Sequence, residues 1–307
     1  MKEAAEKVTL SSRDSAVEAS FAPEAGMVCC SLRHEDSELL AQRDGLQAYA
    51  ERGATMGVPL LYPWANRLAG FGYRACGRRV ELARDSPLLA LDENGLPIHG
   101  VIPGHLPWSA ARSDDGGTRL TAQLGWDRPE LLEVFPFPHR LDYEARLEGA
   151  SLTITTTVHA TGGVAVPVSF GYHPYLTLPG VARGSWRVEL PVRKHLELDD
   201  HGIPTGVVEP VDYAPFELGD SSWDDGFTGL LRPTAFKVSA AQREISVEFV
   251  AGYPFAQVYS PASEEFICLE PMTAPTNALA RGGELPVVPR AGSFAAAFRI
   301  TVDHTPA

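Results

Sequence analysis

Cysteine is scarce and poorly placed for cross-linking. There are four in 307 residues: Cys29, Cys30, Cys76 and Cys268. The adjacent pair cannot form an ordinary disulfide staple, and no CxxC or Cys/His group has zinc-like spacing. No run reaches the ~18 apolar residues of a membrane span, and the opening MKEAAEKVTLSS has no apolar signal core. These absences predict a reducing, cytoplasmic compartment and no membrane partner. Positive charge is also short, with 26 Lys and Arg against 39 Asp and Glu and a net charge of −13. Nucleic acid needs a basic surface and is therefore disfavoured as a partner. A phosphorylated substrate is disfavoured more weakly, because acidity is also a common route to solubility. There is no phosphate-binding glycine loop, and no GxSxG elbow on which a Ser-His-acid triad would be built.

Long amphipathic helices are missing too, and what is present is strand. In HRLDYEARLEGASLTITTTVH, Leu141, Tyr143, Ala145 and Leu147 share one face. Beyond a Glu-Gly-Ala turn, Leu152, Ile154, Thr156 and Val158 keep the same period of two, which predicts a hairpin. FGYRACGRRVEL reads as a shorter hairpin, REISVEFVAGYPFAQVYSP as two strands around Ala251-Gly252, and SFAAAFRITVDH as a closing strand. Only DGLQAYAERGA, ended by Gly53, and DRPELLEV carry a helical signal. Without strand–helix alternation a βαβ architecture is disfavoured. With 28 Gly and 25 Pro scattered as turns, one large antiparallel β domain over residues 1–307 is the economical expectation.

Several polar groups interrupt this pattern. GVPLLYPWANRLAG is an apolar run that ends in Asn66-Arg67, and a guanidinium in such a setting has to be paired; bonding to loop carbonyls is its plain structural reading. LPIHGVIPGHLPW carries His99 and His105 at a spacing that suits no metal pair. SFGYHPY locks His173 against Pro174 between two tyrosines; a half-buried histidine at a strand end is its plain structural reading. SSWDDGFTGL reads as a turn at Asp224-Asp225-Gly226, hemmed in by Trp223 and Phe227. In EEFICLEPMTAPTNAL, Phe266 to Leu269 make a buried strand that Glu270 ends directly. A carboxylate there is desolvated and becomes a better base, unless an Arg simply pairs it. Gln257 lies between Phe255 and Tyr259 on one strand face, and offers a sugar hydroxyl both a donor and an acceptor. The residues form no recognisable metal set, and there is no activated Ser or Cys. They point to acid/base chemistry on a neutral, hydroxyl-rich ligand, with aromatic rings for the apolar face of a pyranose.

PWANR, IHG followed by a Trp, GYHPY leading to LPG, WDDGF, AQVYS and ICLEP, in this order from about Gly57 to Asn277, resemble the aldose 1-epimerase (galactose mutarotase) family. The resemblance implies an all-β fold, a large antiparallel β-sandwich with few short helices and a sugar groove across one sheet. It implies that His173 is the general acid and Glu270 the general base. It places Arg67, His99, Asp224 and Gln257 on the sugar's hydroxyls or ring oxygen, with Asn66 beside Arg67. The distance of three before Phe227 selects Asp224, and Asp225 stays open. GYHPY stands where the best-known galactose mutarotases carry an NHSYF-like string, and LEP where they carry LET, which bears on the preferred sugar and not on the chemistry. In the family's scheme the base takes the anomeric proton, the acid protonates the ring oxygen, the C1–C2 bond turns and closure reverses the roles, with no metal or cofactor. The expected partner is a small neutral aldohexose, and the expected assembly a monomer or homodimer. A catalytically silent sugar-binding module on the same fold, and a glycoside hydrolase using Asp224 with Glu270, are the other readings.

Overall fold

The computed structural model describes residues 7–106, 108–112, 116–283 and 285–304, and is built almost entirely of strands. The opening MKEAAE, part of the stretch without an apolar core, lies outside these residues. Two large sheets dominate. A nine-stranded sheet runs in the order Ser109–Arg112, Arg119–Trp126, His139–Glu148, Ser151–Ala160, Ser293–His304, Arg243–Ala251, Ala235–Ala240, Arg187–Glu189, Phe216–Glu217. An eight-stranded sheet runs Pro204–Pro210, Lys194–Leu198, Trp223–Thr228, Phe255–Ser260, Ile267–Met272, Gly171–Tyr172, Leu60–Leu61, with Tyr175–Leu176 also paired to Ile267–Met272. A four-stranded sheet from Val8 to Glu38 is separate from both. The predicted helices are present and short, Gly45–Arg52 and Pro129–Val134. No described helix is long and apolar enough to cross a membrane, which says nothing of a β-barrel.

The predicted hairpin is the spine of the larger sheet. Its eight alternating residues, Leu141 through Val158, are all buried, and Glu148 pairs with Ser151 across Gly149-Ala150. The closing strand lies mid-sheet, between Ser151–Ala160 and Arg243–Ala251. The two large sheets pack face to face. Phe298 of the larger sheet meets Tyr172 of the smaller at 4.8 Å, and Thr156 Oγ1 lies 2.6 Å from the Tyr172 hydroxyl. These residues belong to one continuous apolar core, the arrangement of a β-sandwich.

The two strands expected around Ala251-Gly252 are both present, and the chain passes there from one sheet to the other. Gly252 permits the crossing, since its φ is 78° and a Cβ would lie 2.6 Å from the Ala296 side chain. Asp224-Asp225-Gly226 is no turn. It is the middle of strand Trp223–Thr228, because pairing with Phe255–Ser260 overrides the local turn preference.

Candidate active site

The site is on the face of the eight-stranded sheet turned away from the core, and the sheet's register builds it. Ala256, Val258, Ile267 and Leu269 point into the sandwich, so Gln257 and Glu270 must point the other way. Gln257 pairs with Glu270, and Gly226 with Gln257. Glu270 does not end its strand as expected; Ile267–Met272 continues past it, buried throughout. The apolar run is explained by burial of both faces. Pro271 is tolerated because the neighbouring strand is broken opposite it. Gly171 pairs with Met272 and Tyr175 with Cys268, and the residues between them, Tyr172 to Pro174, do not pair with this strand. The register therefore sets His173 level with Glu270.

The two side chains meet in that gap. His173 Nε2 is 3.3 Å from Glu270 Oε1, with 6% and 2% of the side chains exposed. Apolar groups flank the pair on both sides: Leu61, Ala65, Phe255 and Met272 on one, Tyr175, Phe266 and Cys268 on the other. Burial, helped by the Asp224 charge and opposed by Arg67, raises the Glu270 carboxyl well above its ordinary range. Burial, with His99 and Arg43 adding to it, pushes His173 well below its own. Both groups are thus driven toward neutrality.

A second segment brings His99. It lies in strand Pro97–Val101 with a left-handed φ of 61°. Gly100 follows at φ 74°, and a Cβ there would lie 2.1 Å from the Tyr62 carbonyl oxygen, so this contact requires glycine. The His99 ring stands edge-on to His173 at 5.6 Å. Desolvation, then the Arg67 charge, lowers its pKa to about 3, so it is neutral at physiological pH. His99 and His173 each keep a buried Nδ1 without a hydrogen-bond partner.

Arg67 closes the other end. Its Nε donates to Asp92 Oδ2 at 2.7 Å, Nη2 to Glu93 Oε1 at 3.3 Å and Nη1 to Asn66 Oδ1 at 3.2 Å, while Asp224 Oδ2 lies 3.7 Å from Nη1. Burial alone would lower its pKa; the Asp92 hydrogen bond and the surrounding acids outweigh this and raise it. Asn66, at φ 55°, also accepts the Arg67 backbone N–H, and its carbonyl accepts the His99 N–H. Asp224, with 43% of its side chain exposed, accepts from Gln257 Nε2 at 2.7 Å. Local desolvation raises its pKa against the pull of Arg67. Asp225 projects to the other side of the strand and is 2.9 Å from His195 Nε2. So Asn66, Arg67, His99, His173, Asp224, Gln257 and Glu270 form one connected group that includes Asp224 and leaves Asp225 out. Among the described residues, no three or more His, Cys, Asp or Glu side chains are disposed to hold a metal ion.

The model of the family described as aldose 1-epimerase matches residues 7–290. The chain belongs to the aldose 1-epimerase family. YihR of Escherichia coli K12, described as uncharacterized, is 24% identical over 233 residues, spanning 74% of this chain and 72% of its own. Among solved structures, Slr1438 from Synechocystis sp. PCC 6803 superposes with a TM-score of 0.79 at 23% identity, covering 98% of this chain and 96% of its own. Galactose 1-epimerase from Lactobacillus acidophilus NCFM superposes at 0.76 with 14% identity, over 96% and 93%. At these identities the structural likeness speaks for the fold, the mutarotase-like sandwich.

Sequence reasoning missed three members of the site. Asp92, in LDENG, has the look of any turn aspartate, and its Oδ1 does accept the Asn94 and Leu96 N–H groups. Only the fold shows that its second oxygen holds Arg67. Arg43 and Thr55 flank the short helix Gly45–Arg52 and reach the site only through contacts with Tyr175, 132 and 120 positions away.

Proposed function

We propose that the protein is an aldose 1-epimerase that interconverts the α and β anomers of a neutral aldohexose. The observation that carries this reading is the buried His173–Glu270 contact at 3.3 Å. Mutarotation removes a proton from the anomeric hydroxyl and delivers one to the ring oxygen, and both oxygens are bonded to the same carbon. The acid and the base must then lie side by side. A glycoside hydrolase instead needs two carboxyl groups about 5 Å or more apart across the scissile bond. Here the neighbour of Glu270 is an imidazole in contact with it.

In the competent state Glu270 is ionised and His173 carries the proton. The carboxylate takes the anomeric proton as His173 protonates the ring oxygen, and the C1–O5 bond breaks to give the open aldehyde. Rotation about C1–C2 presents the other face of the carbonyl. The C5 hydroxyl then attacks, giving its proton back to His173, while the new anomeric oxygen recovers a proton from Glu270. Each positioned acid or base contributes about 10²–10⁴-fold in such steps. Arg67, Asp224 and Gln257 supply both donors and acceptors for the remaining hydroxyls, and His99, neutral, orients the ring. The face of Tyr175 and the ring of Tyr259, set edge-on, flank His173.

Polarimetry of freshly dissolved α-glucose and α-galactose, with and without the protein, tests the reading. Catalysed decay of rotation is expected for at least one of them. A folded protein that binds aldoses yet leaves the decay at its spontaneous rate would move the chain to the sugar-binding class.

A further inference from the structure

Behind His173 stands a small polar assembly that the scheme above does not use. The Tyr175 ring lies flat on the imidazole, with centroids 4.4 Å apart and planes 2° from parallel. The Tyr175 hydroxyl is fully inside the protein. It lies 2.5 Å from Thr55 Oγ1 and 3.4 Å from His173 Nε2. Arg43 Nη1 donates to that hydroxyl at 3.2 Å and to the Thr55 carbonyl at 3.2 Å, and the guanidinium carbon stands 5.1 Å from the centre of the tyrosine ring. The backbone of Arg43 is left-handed, at φ 41°, an unfavourable conformation for a long side chain.

We propose that Arg43, acting through the Tyr175 hydroxyl and together with Thr55, is a positioning residue that sets the plane of the His173 imidazole. This rests on the mutarotase reading for its consequence in catalysis, but not for its geometry. The Tyr175 oxygen accepts from Arg43 and pairs with Thr55 Oγ1, and these two bonds fix where the phenol ring stands. In the stack that oxygen lies over the face of the imidazole, near Nε2, and not on its in-plane edge. The ring stack stops the imidazole from tilting, and the Arg43 clamp stops the tyrosine from sliding.

The charge of Arg43 has a second effect. The groups facing His173 are His99, Tyr175, Tyr259, Glu270 and Arg43. Of these, Arg43 brings a permanent positive charge and disfavours the imidazolium. Its removal stabilises the protonated forms of the His173–Glu270 pair. Both limbs of a bell-shaped pH–rate profile should move to higher pH.

The test compares wild type with Arg43→Gln, Arg43→Lys and Tyr175→Phe. Arg43→Gln is expected to lower kcat by about tenfold to 10²-fold, as misplacement of a reacting group does, with KM little changed and both pH limbs raised. Arg43→Lys, which keeps the charge and a donor, should restore most of the rate and the position of the limbs. Tyr175→Phe should lower kcat with the stack retained. A rise in KM alone, with unmoved limbs, would make Arg43 a substrate contact and overturn the proposal. A proton NMR arm needs no turnover. The His173 ring hydrogens, assigned by their loss in His173→Asn, should be shifted upfield over the Tyr175 face in wild type and in Arg43→Lys, and should relax downfield and broaden in Arg43→Gln. If wild type mutarotates no aldose, the functional reading fails while these shifts still decide the positioning role; unchanged shifts in Arg43→Gln refute it. Should Arg43→Gln not fold, Thr55→Val, which deletes one bond at constant volume, is read in the same way.

Discussion

Glu270 and His173 face each other across a break in the sheet, Oε1 to Nε2 at 3.3 Å. The break is where the short strands Gly171–Tyr172 and Tyr175–Leu176 stop pairing with Ile267–Met272. Proline at 174 and at 271 lacks the N–H that a continuous ladder would use. The same two prolines thus open the ladder and leave room for an acid and a base to touch. Burial disfavours the charge on each, so each is poised to give its charge up, or take it on, as a substrate proton arrives or leaves.

Glu270→Gln keeps the shape and the hydrogen-bonding reach of the side chain but removes its basicity. It should lower kcat and kcat/KM by a similar factor, on the order of 10² or more, with KM little changed. The fold should survive, because an amide at this buried position carries no charge to desolvate. Polarimetry beside a denaturation curve is the measurement. A folded variant within about threefold of wild type would falsify the assignment of Glu270 as the base.

The two histidines should not be equivalent. His173 touches Glu270, while His99 stands edge-on behind it in a strained backbone position and is held by Asn66. His173→Asn should therefore reduce kcat severely. His99→Asn should damage KM and kcat together, because it orients the sugar. Steady-state mutarotation kinetics of both variants decides this, and the opposite pattern would exchange their roles.

Acid should destabilise the fold through its buried histidines. His99 is lowered from 6.5 to about 3 and His139 from 6.5 to about 4, in both cases first by burial. Below pH 6.5 the unfolded chain binds protons that the folded chain refuses until those lower values are reached. The unfolded state then holds more protons, and stability falls as pH falls through this window. His139 is bonded to the Tyr62 hydroxyl at 2.6 Å, outside the proposed chemistry, and so isolates the effect. His139→Gln should be less stable than wild type at pH 7. It should also lose stability less steeply between pH 6.5 and 4, by up to about 1.4 kcal/mol per pH unit. Denaturant unfolding at pH 7 and 5 measures both terms, and parallel losses in the two proteins would show that His139 is not one of the acid-sensitive groups.

Neutral hexoses should be preferred over hexose 6-phosphates. Arg67 is surrounded by Asp92, Glu93 and Asp224, so its charge is already matched and the acids around it repel a phosphate. The KM for glucose 6-phosphate should exceed that for glucose by on the order of tenfold at low salt, and the gap should narrow as salt screens the repulsion. Coupled assays at two ionic strengths give the comparison. Equal or better use of the phosphate ester would show that a cation outside this group receives it.

Much of the molecule was legible in the chain itself. Period-two alternation at Leu141 to Val158 is a local property, and burial of one face follows from it directly. The polar residues set into apolar sequence, from Asn66 to Glu270, stood out because burying such groups is costly without a reason. What neighbouring residues cannot encode is which strand lies beside which. Asp224-Asp225-Gly226 has turn chemistry, yet strand Phe255–Ser260 pairs with it and makes it a strand, and only the resulting alternation chooses Asp224 over Asp225. Glu270 was expected at a strand end, yet its strand runs on because a second, broken strand lies alongside. Asp92 reaches Arg67 over 25 positions, and Arg43 reaches Tyr175 over 132. The sequence determined the class of fold and the chemical types at the site, since those depend on what each residue is and on its near neighbours. The tertiary structure alone decided the register that aims the acid at the base and the partners that hold each in place, since those depend on contacts between segments far apart in the chain.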